Sequence, residues 1–218
     1  MVSTQTLIEN NKDLYIQATQ HPFLAQLGKA QIDPKALQSF LNQDRVFALG
    51  YCKWLAMIAA RIPLLEQSSK PNTHDVDSLH LMSFAISNGL REVNMFPNTL
   101  ASLNLEYRAV EANAACFDYV QYLYQLDNND DAIVALWALE KVYLDGWGYA
   151  KSLDTSRSSP YSELLDNWTC EQFVHFVDTD LKAQVERIQS TDTRRFDDIF
   201  ASICRLEIAF WEQSLLLQ

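Results

Sequence analysis

Glycine and proline are scarce in this chain, five and six among 218 residues, and no Val/Ile/Thr run alternates with period two between turn residues. Strands therefore have little support, and an all-α fold follows. No apolar run approaches the roughly 18 residues of a membrane span, and the opening MVSTQTLIENNKDLY lacks a basic stretch followed by an apolar one. Basic charge is short as well: 17 Lys and Arg stand against 28 Asp and Glu, for a net charge of −11. Without a Lys/Arg cluster interleaved with aromatics, neither nucleic acid nor an anionic membrane is an expected partner. A soluble, cytoplasmic protein is predicted. The four cysteines, Cys52, Cys116, Cys170 and Cys204, form no C-x-x-C pair, which argues against a zinc knuckle or redox dithiol and leaves buried free thiols. Glu-x-x-His is absent too, so the helical ligand pattern of a di-iron site is missing. The acidic run 127–131 lacks EF-hand spacing and reads as a solvated loop and cap.

What is present is apolar helical periodicity, 48% of the chain being hydrophobic. That is enough for one sizeable core, and a single domain over residues 1–218 is expected. The predicted helices run over about 3–19, ending before His21-Pro22; from Asp33-Pro34 to Arg61 or Ile62; from Asp75, as N-cap, to about Leu105 with Pro97 breaking or kinking it; and over about 111–126. Three more follow over 132–153, interrupted near Gly146 and Gly148, over roughly 160–189, and over 194–217. Residues 67–76, QSSKPNTHDV, read as a loop.

Inside this periodicity sit acids and aromatics that share helix faces: Asp44 with Phe47, Tyr119 with Tyr122, Glu140 with Tyr143, Glu207 with Trp211. A carboxylate on an apolar face costs free energy unless it is paired or functional. Three of them on three helical segments, each beside an aromatic, point to a closed pocket for a flat, polar, nitrogen-rich small molecule. Structural alternatives exist for each: Asp44 paired with Arg45 or Arg61, Glu207 with Arg205, Glu140 on a solvated face beside Lys141, the aromatics in the core. Cys116, three before Tyr119, falls near the proposed pocket as a packing residue. His21 reads as a turn residue.

The segment QHPFLAQLGKAQIDPKALQSFLNQD (20–44) resembles the opening of the TenA family. ACFDYVQYLY (115–124), LWALEKVYLDGW (136–147), LLDNWTCEQF (164–173) and RLEIAFWE (205–212) resemble the family's later helices in the same order, so the likeness spans nearly the whole chain. It implies a haem-oxygenase-like multi-helical bundle and an enzyme related to thiaminase II and the aminopyrimidine aminohydrolases. The family has a class with a cysteine on the fifth helix and a class with glutamate there; Ala138-Leu139-Glu140-Lys141-Val142-Tyr143 resembles the glutamate class. By that resemblance the substrate is a 4-amino-5-aminomethyl-2-methylpyrimidine or its N-formyl derivative, hydrolysed at the exocyclic nitrogen for thiamin salvage. Glu140 and Glu207 become the expected acid/base pair, Asp44 the anchor of the aminopyrimidine edge, and Phe47, Tyr119, Tyr143 and Trp168 the substrate-binding aromatics. No metal or cofactor is implied. A homo-oligomer, dimer or tetramer, is expected, as is weak thiaminase activity or none. Two other possibilities remain open: a catalytically weak TenA-like binding or accessory protein, and an oxidase on the same fold.

Overall fold

The structure, a computed structural model, describes residues 1–62, 73–154, 159–190 and 192–216. Among these every regular element is helical. Helix α4 (Pro34–Arg61) begins as the Asp33-Pro34 pair predicts: the Asp33 carboxylate accepts from the Lys35 N–H, and proline takes the first helical position. Asn113 caps α6 (Ala114–Gln125) through the Cys116 N–H. Asn128 caps α7 (Asn129–Leu153), accepting from Asp130 and Asp131 N–H groups. Gly146 and Gly148 lie inside α7 and do not interrupt it.

The N-terminal segment is two helices where periodicity predicts one. Helices α1 (Thr4–Asn10) and α2 (Lys12–Thr19) part at Asn11, whose side-chain amide donates to the Leu7 carbonyl at 2.9 Å; such local bonding competes with helix continuation. A short α3 (Pro22–Gly28) follows. His21 takes the turn role expected of it, its Nδ1 accepting from the Phe23 N–H at the head of α3.

Helix α5 (Thr73–Ser102) starts before Asp75, which lies in its first turn and not at its cap. The predicted loop 67–76 falls outside the described residues as far as 72. Pro97 does not break α5. Proline has no N–H, so the Val93 carbonyl loses its intrahelical donor, and Arg45 of α4 supplies one, Nε to O at 3.2 Å. The stretch expected as one helix over 160–189 is divided into α8 (Ser162–Asn167), α9 (Glu171–His175), a π-helical turn Phe176–Leu181, and α10 (Lys182–Glu186). Lys141 ties α7 to the π turn, donating to Asp145 at 2.9 Å and to Asp178 at 3.0 Å. The chain's final helix among the described residues is α11 (Arg194–Leu215).

One apolar cluster draws on all the long helices, with α4 against α5 and α6, and α7 against α3 and α11. Gly28 permits the α3–α7 approach: a Cβ there would lie 2.1 Å from the Ala150 carbonyl oxygen. All five tryptophans are buried. Trp211 packs on Phe23 and Phe40 at centroid distances of 5.3 and 5.0 Å, and Trp147 packs on Trp168 at 4.3 Å, an aromatic floor beneath one end of α4 and α7. No helix of the described residues is long and apolar enough to cross a membrane.

Candidate active site

The site grows from three consecutive buried polar residues on α4, Asn42, Gln43 and Asp44. Asn42 donates to the Glu106 carbonyl at 3.3 Å and accepts from the Arg108 N–H at 2.9 Å. Gln43 does the same with the Glu111 carbonyl and the Asn113 N–H, both at 2.9 Å. These two amides satisfy the backbone of the α5–α6 connection as a neighbouring strand would, which sets α6 and Tyr119 beside α4. Asp44 is the member of the trio left facing inward.

Three carboxyls are then each held by a tyrosine from a different helix. Tyr143 of α7 donates to Asp44 Oδ2 at 3.0 Å, Tyr119 of α6 donates to Glu207 Oε2 of α11 at 3.0 Å, and Tyr51 of α4 donates to Glu140 Oε1 of α7. Helices α4 and α7 thus exchange partners, each giving one acid and one phenol. The pairing fixes the side-chain geometry without supplying positive charge. The cations that might have neutralised these acids are engaged elsewhere: Arg45 with the Val93 carbonyl, Arg61 with the Leu126 carbonyl at 2.6 Å, Lys141 with Asp145 and Asp178.

Burial in the absence of a counter-ion pushes all three acids up. Asp44 rises from 3.8 to about 8, through burial and then the charge of Glu92, with the Tyr143 bond pulling the other way. Glu140 rises from 4.5 to about 8 by burial, opposed by Tyr51 and reinforced by Glu92 and Asp44. Glu207 rises from 4.5 to about 8 by burial, opposed by Tyr119 and reinforced by Asp44 and Glu140. Groups coupled in this way titrate as a set, and the set retains protons at neutral pH. Carboxyls kept partly protonated near neutrality are what acid/base work requires.

Asp44, Phe47, Tyr119, Leu139, Tyr143, Glu207 and Phe210 enclose a cavity of about 20 Å³, room for roughly one water. A planar ring enters only by displacing a lining side chain; Phe47 and Tyr143 are the half-buried aromatics of the seven. Phe47 meets Tyr119 at 4.8 Å and Phe210 at 5.8 Å, so the walls are aromatic on two sides. A larger groove of about 800 Å³ between α5 and the α9–α10 stretch opens at the surface. Of its acids and imidazoles, Asp77, His80, Glu171 and His175 are exposed and Asp180 is half-buried, and it lacks the buried acid set. Cys116 lies behind the cavity, its Sγ 3.8 Å from the Gln43 carbonyl and its thiol pushed up to about 12 by burial and then by Asp44. It is a thiol at neutral pH, in keeping with its expected packing role.

Residues 9–217 match the model of the TENA/THI-4/PQQC family. The chain belongs to that family. A Glycine max protein described as a probable bifunctional TENA-E protein is 20% identical, over 97% of this chain and 92% of its own. A TenA homologue from Pyrococcus furiosus superposes with a TM-score of 0.82 at 22% identity, covering 97% of this chain and 98% of that one. A putative TenA-like thiaminase from Sulfolobus solfataricus gives 0.79 at 14% identity, covering 99% and 97%. The fold is the all-α, haem-oxygenase-like fold of TenA homologues, as the resemblance implied.

Within this TenA fold, five of the seven expected site residues come together around the cavity: Asp44, Phe47, Tyr119, Tyr143 and Glu207. Glu140 and Trp168 do not line it. Glu140 points across to Tyr51, although its charge still raises Glu207. Trp168 stands edge-on behind Tyr143 at 5.5 Å. Sequence reasoning missed Tyr51, Phe210 and Glu92. Phe210 follows Glu207 by three and was findable by the same spacing rule; Trp211, singled out instead, serves the aromatic floor and donates to the Ala18 carbonyl. Tyr51 follows Phe47 by four and so shares its helix face, the one signal that could have found it. Glu92 offered no signal, because a glutamate beside an arginine in an amphipathic helix reads as surface.

Proposed function

We propose that this chain is an aminopyrimidine aminohydrolase of the glutamate class, acting on the 4-amino-5-aminomethyl-2-methylpyrimidine derived from thiamin and on its N-formyl derivative. The observation that supports it is the set of tyrosine-held, proton-retaining carboxyls at a small aromatic cavity whose lining contains no cation and no thiol. A protonated Asp44 presents an O–H donor and a C=O acceptor side by side, the complement of a ring nitrogen beside an exocyclic amino group. Phe47, Tyr119 and Phe210 are faces against which such a ring can stack.

In the reaction of the aminomethylpyrimidine, the bond between the methylene carbon and its nitrogen breaks, a water oxygen bonds to that carbon, and the nitrogen departs as ammonia after gaining a proton; the N-formyl derivative first loses its formyl group to water as formate, which leaves the same amine. Glu207, which lines the cavity together with Asp44, is the carboxyl placed to give or take that proton. Glu140, one layer behind, supports the role through its field on Glu207. With no cysteine lining the cavity and Cys116 held as a thiol, the thiolate addition by which the cysteine class cleaves thiamin has no nucleophile here, and thiamin itself should be turned over weakly or not at all. The Sulfolobus protein's description as a putative TenA-like thiaminase supports a hydrolase at the level of the family. Assembly as a homo-oligomer belongs to the same proposal.

A TenA-like binding or accessory protein is the second proposal, and the position of Glu140 behind the cavity favours it, since binding needs Asp44 and the aromatics but not a second acid. Metal-stripped protein incubated separately with the aminomethylpyrimidine, its N-formyl derivative and thiamin, with products followed by mass spectrometry, separates the two. Hydroxymethylpyrimidine from either of the first two supports the hydrolase. Saturable binding of the aminomethylpyrimidine without turnover supports the binding protein.

A further inference from the structure

Glu92 on α5 is a fourth acid of the set, and its helix face shows why. Gly89, three residues before it, abuts the tyrosine that holds Glu140: a Cβ at Gly89 would lie 3.6 Å from Tyr51 Cδ1. Phe96, four residues after it, packs on Trp168 at 6.2 Å, and Trp168 stands against the tyrosine that holds Asp44. Residues at i−3 and i+4 share a face with i, so Glu92 occupies the gap between Tyr51 and Trp168, behind the two acid–phenol pairs that α4 and α7 exchange. The Arg45 bond to Val93, the next residue, pins this turn of α5 to the turn of α4 that carries Asp44.

Titratable groups meet Glu92 from both neighbouring helices. From α4 it faces Asp44, Tyr51 and Cys52, and from α7 Glu140 and Tyr143; its charge raises the pKa of each. The buried Trp168 indole N–H has no partner of full hydrogen-bond geometry, yet it lies close enough to pull Glu92 down. On its own helix Arg91 reaches Oε1 only at 3.9 Å, with 53% of the Arg91 side chain exposed, a weak and screened pairing. Burial outweighs both and lifts Glu92 from 4.5 to about 7. Its side chain is 26% exposed, whereas Asp44, Glu140 and Glu207 are 6%, 8% and 4% exposed as residues. Of the four acids, it is the one with an edge in water.

We propose that Glu92 is a positioning residue of this site, whose carboxylate, standing behind the two acid–phenol pairs with an edge in water, sets the proton occupancy of Glu140 and Asp44 through its charge. The inference rests on the cavity proposed above as the active site. Glu207 is not among the groups that Glu92 raises directly, so the effect is selective within the set.

The test is a carbon-13 NMR titration of the side-chain carboxyls in the full chain, wild type against Glu92→Gln and Glu92→Asp. In Glu92→Gln the midpoints of Glu140 and Asp44 fall by about one pH unit, a shift of the size expected for strongly coupled acids, and Glu207 moves less. Glu92→Asp keeps the charge and holds the wild-type midpoints. Unchanged Glu140 and Asp44 midpoints in Glu92→Gln overturn the proposal. The titration needs no turnover, so an inactive protein with shifted midpoints counts against the hydrolase and not against Glu92. Where turnover is present, the alkaline limb of kcat/KM moves acidward in Glu92→Gln by the same amount, which loss of a purely structural contact would not produce.

Discussion

The buried acid set makes stability fall as pH rises through neutrality, and the size of the effect follows from the protonation states. Asp44, Glu140 and Glu207 release their protons near pH 8 in the folded chain but at 3.8 to 4.5 when unfolded. Between those limits the folded state binds more protons than the unfolded state, so the unfolding free energy decreases with pH by about 1.4 kcal/mol per unit for each proton retained. From pH 6.5 to 7.5 one retained proton costs about 1.4 kcal/mol and two cost about 3 kcal/mol, before any loss from coupling within the set. His21 acts in the opposite sense, since burial lowers its pKa from 6.5, but its contribution is confined to pH values near and below that. Urea unfolding followed by tryptophan fluorescence measures the slope directly, because all five indoles are buried. The control is Asp44→Asn or Glu207→Gln. Each keeps an oxygen to accept from its tyrosine and removes one titrating group, so each should flatten the slope and gain stability at pH 8. A wild-type slope that is flat or rising over this interval, or one unchanged in both variants, would refute the protonated-acid account.

Glu207→Gln should lower turnover of the aminomethylpyrimidine by a factor of about 100 or more, measured as initial rate. Glu140→Gln should lower it too, and near-wild-type rates in both would remove the acid/base pair. Asp44→Ala should chiefly raise KM, and an unchanged KM would count against its anchoring role. Arg45→Met leaves the Val93 carbonyl beside Pro97 without a donor and should destabilise the fold by about 1–3 kcal/mol in urea titrations. Gly28→Ala forces α3 away from the Ala150 carbonyl and should cost about 1–3 kcal/mol or more, read as a lower midpoint of unfolding.

Helix α4 was legible because its start is marked chemically, and the structure uses Asp33-Pro34 as written; α6 and α7 begin instead at the caps Asn113 and Asn128, where the expected starts were 111 and 132. At two places where the sequence misled, a tertiary partner had intervened. Pro97 would end an isolated helix, but Arg45, fifty-two positions earlier, replaces the hydrogen bond it removes. The divided 162–186 region keeps helical periodicity in its residues, yet its π turn is secured by Lys141 on another helix, a contact invisible to any window of sequence. The cavity was legible through acids on apolar faces, since desolvation makes such acids conspicuous. Which phenol would hold which acid was not, because those pairs join α4, α6, α7 and α11 across separations of about ninety residues. Glu92 stayed hidden for the same reason, its burial arising from how α5 meets α4 and not from its neighbours in the chain.

The most direct test of the central claim is to run the reaction on the aminomethylpyrimidine in oxygen-18 water and compare the wild type with Glu207→Gln. Hydroxymethylpyrimidine should carry the heavy oxygen on its methylene, with one ammonia released per product and a rate lower by a factor of about 100 or more in the variant. Unlabelled product, or equal rates in the two proteins, would contradict it.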